Sequence, residues 1–292
     1  MASDQGPVVQ SALLRNELIR LRKVSGLTQE QVATGLDWSS SKLIRVEGGR
    51  SSISTVDLDA LLRTYGISAE SDRERLQALN RGTRERPWWV SYRDGMMDAA
   101  YLEYVGFEAG AVFIRSFEQV FVPGLMQTPA YAEELTRLTV NSAEDDDKVK
   151  SAVRLRLQRQ AELARRSVMP RQYYAIDEAV IRRHMGISRD PAIMPNQLRH
   201  IVDRARHEEL LTVRVIPFNA GAYKGPASPF TLLEFDGDLA DVLYLDAGRG
   251  GTLITGGDTV AEYADDFERL LESALPPDDS LALIEQAAGN MS

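Results

Sequence analysis

The sequence predicts a mainly α domain at the N-terminus, built as a small helical bundle, followed by an α+β domain with an antiparallel sheet. Two patterns predict this division. Between Leu14 and Tyr65 the apolar residues recur at spacings of three and four, broken by short polar or glycine-containing turns, as in a set of short helices. Beyond Gln172 strand-like runs cluster, and the later ones follow one another directly. Strands that succeed one another after a block of helices read as α+β with antiparallel pairing. A length of 292 residues is about two domains. A content of 43% hydrophobic and 26% charged residues is an ordinary globular balance, so neither domain need be disordered for want of a core.

In chain order, residues 1–10 read as a disordered tail, 11–68 as the helical domain, 69–98 as a linker with one helix near Asp72–Asn80, and 99–292 as the α+β domain. Leu14, Leu18 and Leu21 share one helix face, and Gly26 ends that helix. Thr28-Gln29-Glu30-Gln31 fits a capping box opening a second helix, with Val32 and Ala33 inward and Gly35 closing it. Ser39 suits the N-cap of a third helix, which turns Leu43 and Val46 inward and stops at Gly48-Gly49. A fourth runs from about Ser54 to Tyr65. Gly82 and Pro87 make residues 81–89 irregular, and Trp88-Trp89 reads as an anchor on a core rather than a platform for a ligand. In the second domain a helix is expected from Ala99 to Ala111, then a strand over Ser116–Val122. Helices follow at Thr128–Leu138, Asp147–Ala164, Glu178–His184, Pro191–Arg206, Asp258–Ala274 and Ser280–Ala287. Further strands are expected at Gln172–Ile176, Leu211–Ile216, Phe230–Phe235, Val242–Asp246 and Thr252–Ile254.

Charge is divided unevenly. The formal net charge is −9, yet Ser11–Arg50 holds seven Lys/Arg against four acids, whereas Glu234–Glu285 holds 14 acids against two arginines. An acidic body repels polyphosphate except where a basic element is offered, and the N-terminal helices offer one. The third helix has the pattern needed to enter a major groove: Ser40, Ser41, Lys42 and Arg45 outward, Leu43 and Val46 inward. Small polar side chains and an arginine reach base edges and phosphates there. Gln29, at the start of the preceding helix, is placed to hold a phosphate, and Arg50 and Lys23 are further candidates for backbone contacts. The candidate DNA-binding set is therefore Gln29, Ser39, Ser40, Ser41, Lys42, Arg45 and Arg50.

On these residues, 11 to about 66 resemble the helix-turn-helix domain of the Xre/Cro family of repressors. Lys42-Leu43-Ile44-Arg45-Val46-Glu47 before glycine matches the end of that family's recognition helix. The resemblance implies a phosphate contact for Gln29, base readout by Ser40, Ser41 and Arg45, and a structural role for Glu47. Ser40 stands where many members carry glutamine; serine is shorter and accepts any base.

No cysteine is present, which excludes disulfides, thiol chemistry and cysteine-ligated metals. His184, His200 and His207 lack the spacing of a metal-binding pair and read as solvated. The glycines at 248, 250, 251, 256 and 257 read as tight turns rather than a phosphate cradle. Arg154, Arg156, Arg159, Arg165 and Arg166 read as a solvated or salt-bridged helix face, with auxiliary DNA contact as the alternative. No nucleophile elbow, phosphate loop or dinucleotide fingerprint appears, so no cofactor and no enzymatic activity are expected. No apolar run approaches the roughly 18 residues of a membrane span and the start is not signal-like, so a cytoplasmic protein away from membranes is expected.

The stretch Phe117-Glu118-Gln119-Val120-Phe121-Val122-Pro123-Gly124-Leu125-Met126-Gln127-Thr128-Pro129-Ala130-Tyr131-Ala132 resembles the signature of the WhiJ-like regulators of actinobacteria. Arg159-Gln160, Asp177-Glu178-Ala179-Val180, Gln197-Leu198, Val215-Ile216-Pro217 and Gly221 extend the likeness. By itself Val122-Pro123-Gly124-Leu125 reads as a strand end and turn, with Pro123 fixing φ and Gly124 freeing it. The resemblance implies an antitoxin-like transcriptional regulator of development or secondary metabolism, encoded beside a small partner protein. Two readings follow. One is a homodimer on double-stranded DNA whose second domain dimerises and senses a small-molecule effector. The other is an interaction module for the small cognate protein, with DNA binding serving autoregulation.

Overall fold

The computed structural model describes residues 6–85, 87–92, 98–139, 146–246 and 250–291. The chain divides into two compact units, Met1–Val90 with Asp236–Leu239, and Ser91–Phe235 with Ala240–Ser292.

The first unit holds five helices: α1 (Gly6–Val24), α2 (Gln29–Gly35), α3 (Ser40–Glu47), α4 (Thr55–Thr64) and α5 (Glu70–Gly82). Leu14, Leu18, Leu21, Val32, Leu43, Val46, Leu58, Leu61 and Leu62 meet in one core. Two expectations are corrected here. The tail is shorter than residues 1–10, because helix α1 begins at Gly6 and buries Val9 and Gln10. Residues 69–98 are not all connector, because α5 packs on α1 and adds Leu76 and Leu79 to the same core. The two helices meet closely at Gly82, where a Cβ would fall 1.5 Å from the end of the Gln10 side chain, so a larger residue would have to turn that amide aside. A 3₁₀ turn over Trp88–Tyr92 follows, with Trp89 buried and edge-on to Trp88 at 5.5 Å.

The second unit is built on a six-stranded sheet of β1 (Phe113–Glu118), β2 (Arg171–Asp177), β3 (Leu211–Ile216), β4 (Phe230–Glu234), β5 (Val242–Asp246) and β6 (Gly251–Thr255). Its helices are α6 (Ala99–Glu108), α7 (Pro129–Thr139), α8 (Asp146–Ala164), α9 (Glu178–Arg182), α10 (Ile193–His207), α11 (Asp258–Ser273) and α12 (Pro277–Asn290). The spatial order is β3-β2-β1-β4-β5-β6.

The sheet is mixed, which corrects the antiparallel expectation. β1 pairs with β2, and β2 with β3, in parallel; β1–β4, β4–β5 and β5–β6 are antiparallel. Chain return explains the split. Helices α7 and α8 lie between β1 and β2, and α9 and α10 between β2 and β3, so each strand re-enters from the same end. Among the described residues no helix lies between β4 and β6, and the chain doubles back. The first strand is also shifted from the expected Ser116–Val122. Its limits follow its neighbour, with Phe113 opposite Arg171 and Glu118 opposite Ile176.

Alternation along the strands gives the sheet two different faces. Phe117, Ala175, Phe230, Leu232 and Leu243 pack with Phe267, Leu270 and Leu271 of α11. The other face carries Ile114, Ser116 and Glu118 of β1, with Tyr174 and Thr231 opposite Ser116 and Tyr244 opposite Thr231. Over this face the turn Pro123–Met126 is fastened by glutamines. Gln160 donates to the Gly124 and Gln127 carbonyls, Gln127 to Val122, and Gln197 to Met126 at 2.7 Å. Gly124 does not take a positive φ, contrary to the turn expected of it. Its role is space: a Cβ would lie 3.2 Å from a guanidinium nitrogen of Arg159.

The arginines of α8 and of the two residues after it do not form one surface. Arg165 pairs with Glu162, while Arg156 donates to Thr136 of α7 and Arg166 to the Ala111 carbonyl at 2.6 Å. Arg159 is buried, 8% exposed, and grips the equally buried Glu108 with Nε and Nη2. Tyr101 and Tyr104 accept its remaining hydrogen bonds at 3.0 and 3.1 Å. Gly256 and Gly257 have positive φ at the turn into α11, whereas Gly248 lies outside the described residues.

Candidate nucleic-acid interface

The interface is built from α2, α3 and the turn between them. Thr28 caps α2 reciprocally: its hydroxyl accepts from the Gln31 N–H at 3.2 Å and the Gln31 side chain accepts from the Thr28 N–H at 2.9 Å. The chain leaves α2 through Leu36 and Asp37, the latter at φ 53°, and enters α3 with Ser39 at the N-cap. Ser39 makes no capping bond; its hydroxyl lies 3.1 Å from that of Ser41. Leu43 and Val46 point into the core, and Ser40, Ser41, Ile44 and Arg45 stay exposed.

One buried carboxylate fixes the pose of α3. Glu47, 5% exposed, accepts from Arg22 Nε at 2.7 Å and Nη2 at 3.0 Å, and from Gln29 Nε2 at 2.7 Å. It thus ties the end of α3 to α1 and to the start of α2. Hydrogen bonding by Glu47 raises Arg22 above its ordinary value, and burial, reinforced by Glu47, does the same to the Tyr65 phenol. Glu47→Ala is expected to destabilise the first unit by about 3 kcal/mol, because Arg22 keeps its charge and loses its partner. Trp38, Trp88 and Trp89 all belong to this unit, so a urea titration followed by tryptophan fluorescence reads the loss. An unchanged midpoint would refute the role given to Glu47.

The seven candidate residues fall into three groups. Ser40, Ser41 and Arg45 form one exposed patch on α3 with Ile44, which was not among the candidates. Among the described residues Arg45 and Arg50 have no hydrogen-bond or ion-pair partner for their guanidinium groups. Gln29 and Lys42 are already engaged. Gln29 is half-buried against Glu47, and Lys42 pairs with Asp57 at 3.0 Å while lying 3.8 Å above the Trp38 ring. A signal for Lys42 was present in the sequence, since Trp38 lies four residues before it. Asp57, on another helix, carried none.

A capped short helix, a tight turn and a second helix with one face pinned and one face open define a helix-turn-helix domain, the fold of DNA-binding regulators. Residues 13–76 match the family described as helix-turn-helix domain. Residues 101–286 match the family described as domain of unknown function, DUF5753, and the chain belongs to that family. No curated protein and no solved structure matches the chain. Among the described residues no helix is long and apolar enough to cross a membrane.

Proposed function

We propose that this chain is a sequence-specific, double-stranded DNA-binding transcriptional regulator of the Xre type. It acts as a repressor and a homodimer in the cytoplasm, with no catalytic activity. The observation that supports this best is the open face of α3. Ser40, Ser41, Ile44 and Arg45 are exposed while Glu47 and the core hold the helix rigid from behind. In this reading Arg45 pairs with a guanine, Ser40 and Ser41 contact base edges, and Ser39 and Arg50 meet phosphate. Ile44 is placed to cover a thymine methyl. Gln29 and Lys42 reach phosphate only by exchanging Glu47 and Asp57 for it. One such helix reads few base pairs, so two half-sites about 34–36 Å apart are needed. The second unit then supplies dimerisation and response to an effector.

A gel-shift series on the DNA upstream of the chain's own gene tests this. Affinity should fall steeply as salt rises, through counterion release. Arg45→Ala should weaken specific binding about tenfold, and Arg63→Ala, whose partner is Asp59 on the same helix, should leave it unchanged. Equal effects of the two would overturn the assignment. The acidic stretch Glu234–Glu285 supports a second reading, a surface for a basic partner protein. Co-purification of a stoichiometric small protein from the native host would favour it, and development or secondary metabolism of an actinomycete is the setting that the WhiJ-like resemblance implies.

A further inference from the structure

The second unit has a half-open cavity of about 310 Å³ on the sheet face opposite α11, flanked by α6, α7, α8 and the Pro123 turn. That volume lies at the lower end of small-molecule sites, which run from about 300 to 1,000 Å³. Its floor is the cross-strand row Tyr174, Ser116, Thr231 and Tyr244. One wall is aromatic: Tyr104 stacks on Tyr244 at 4.4 Å, and Tyr101 lies 6.0 and 6.4 Å from them. Glu118 projects into the space from the end of β1, and Asp246 from the end of β5.

The hydrogen-bond inventory of the wall is lopsided. The nitrogen donors of Arg159 and Gln127 already have acceptors, whereas Arg156 engages its Nη1 alone among the described residues. Arg159 serves Glu108, Tyr101 and Tyr104, and Arg156 serves Thr136 and the Ala132 carbonyl on the α7 side. Gln127 Nε2 serves Val122. Two acceptors on the wall are unfilled. Among the described residues nothing donates to the half-buried Glu118 carboxyl, and the buried Oε1 of Gln127 has no partner. A group that fills such a site brings donors and positive charge, and aromatic faces attract the same charge. Arg159 shows that attraction already, 5.1 Å from the Tyr104 centroid.

We propose that this cavity binds a small organic amine, with its protonated nitrogen on Glu118 and its apolar body against Tyr101, Tyr104 and Tyr244. The assignment deepens the effector part of the proposed function and rests on that reading for its consequence, not for the binding itself. Burial pushes Glu118 up to about 8, with Asp246 from β5 adding to the rise and Arg159 from α8 opposing it. The phenols of Tyr131 from α7 and Tyr104 from α6 also face this region and are held above their ordinary value by burial. Near neutral pH Glu118 therefore keeps its proton more readily than an ordinary carboxyl. An arriving ammonium displaces it, so binding releases a proton and tightens as pH rises towards 8.

Calorimetry on the full chain without DNA tests the proposal, using phenethylamine, hexylamine, phenethyl alcohol and phenylpropanoate. Both amines should bind at least about tenfold more tightly than the alcohol, a charge-assisted hydrogen bond being the difference. The carboxylate should not bind, and the heats should differ between phosphate and Tris as a proton leaves. Glu118→Gln should abolish the preference for amine, and Tyr244→Leu should weaken both amines several-fold. The proposal is overturned if alcohol and amine bind alike, if the carboxylate binds better, if neither amine binds at millimolar concentration, or if Glu118→Gln changes nothing. Amine binding by a chain that retains no operator would refute the proposed function alone.

Discussion

Glu108→Ala is expected to cost the second unit about 3–5 kcal/mol, enough to threaten its folding, because breaking a buried ion pair strands the surviving charge. Glu108 accepts two hydrogen bonds from Arg159 and a third from Tyr104 at 2.7 Å, and both ionic partners are buried. After the substitution Arg159 keeps a full charge with only Tyr101 and Tyr104 as acceptors. The double variant Glu108→Leu/Arg159→Leu removes both charges and should cost less than the single one. Tyrosine near-ultraviolet circular dichroism in a urea titration reads this unit, since it contains no tryptophan. A single variant as stable as the parent, or a double variant worse than the single, would refute the argument.

Glu118→Gln should act in the opposite direction and only above acid pH. A carboxyl raised to about 8 in the fold and near about 4.3 in the unfolded chain binds more protons when native throughout that interval. Stability from this group therefore falls as pH rises from about 4.3 to 8 and is flat beyond. Glutamine does not titrate, so the variant should match the parent near pH 4 and exceed it by roughly 2–4 kcal/mol at pH 8. Urea midpoints at the two pH values decide. A gain that is the same at both would mean that Glu118 is solvated and that the cavity reading is wrong.

Local chemistry made the first unit legible. The Thr28–Gln31 box forms both of its hydrogen bonds, and Ser54 caps α4 by accepting from the Asp57 N–H at 3.0 Å. These signals lie within four residues of their partners. What the sequence hid is non-local. Glu47 looked structural from its place near a helix end, but Arg22 is 25 residues away and no period links the two. Arg159 read as one arginine of a basic face because Glu108 is 51 residues distant. Strands were visible as apolar runs, yet pairing direction depends on where α7–α8 and α9–α10 return the chain. The cavity had a faint signal: Ser116 and Glu118 put two polar groups in succession on the same side of a strand, where a core-facing side would be apolar.

The two margins of the sheet are unlike. At β3 the Val215 N–H meets the Ser280 hydroxyl at 3.0 Å and its carbonyl accepts from the Leu275 N–H at 2.9 Å. The α11–α12 corner thus covers β3 at Val215, while at β6 the Gly251 N–H donates to the Asp98 carboxylate at 2.7 Å. Fibrillar growth by edge pairing needs two receptive margins on every molecule. Pairing of another strand with β3 at Val215 therefore requires the C-terminal corner to peel away first.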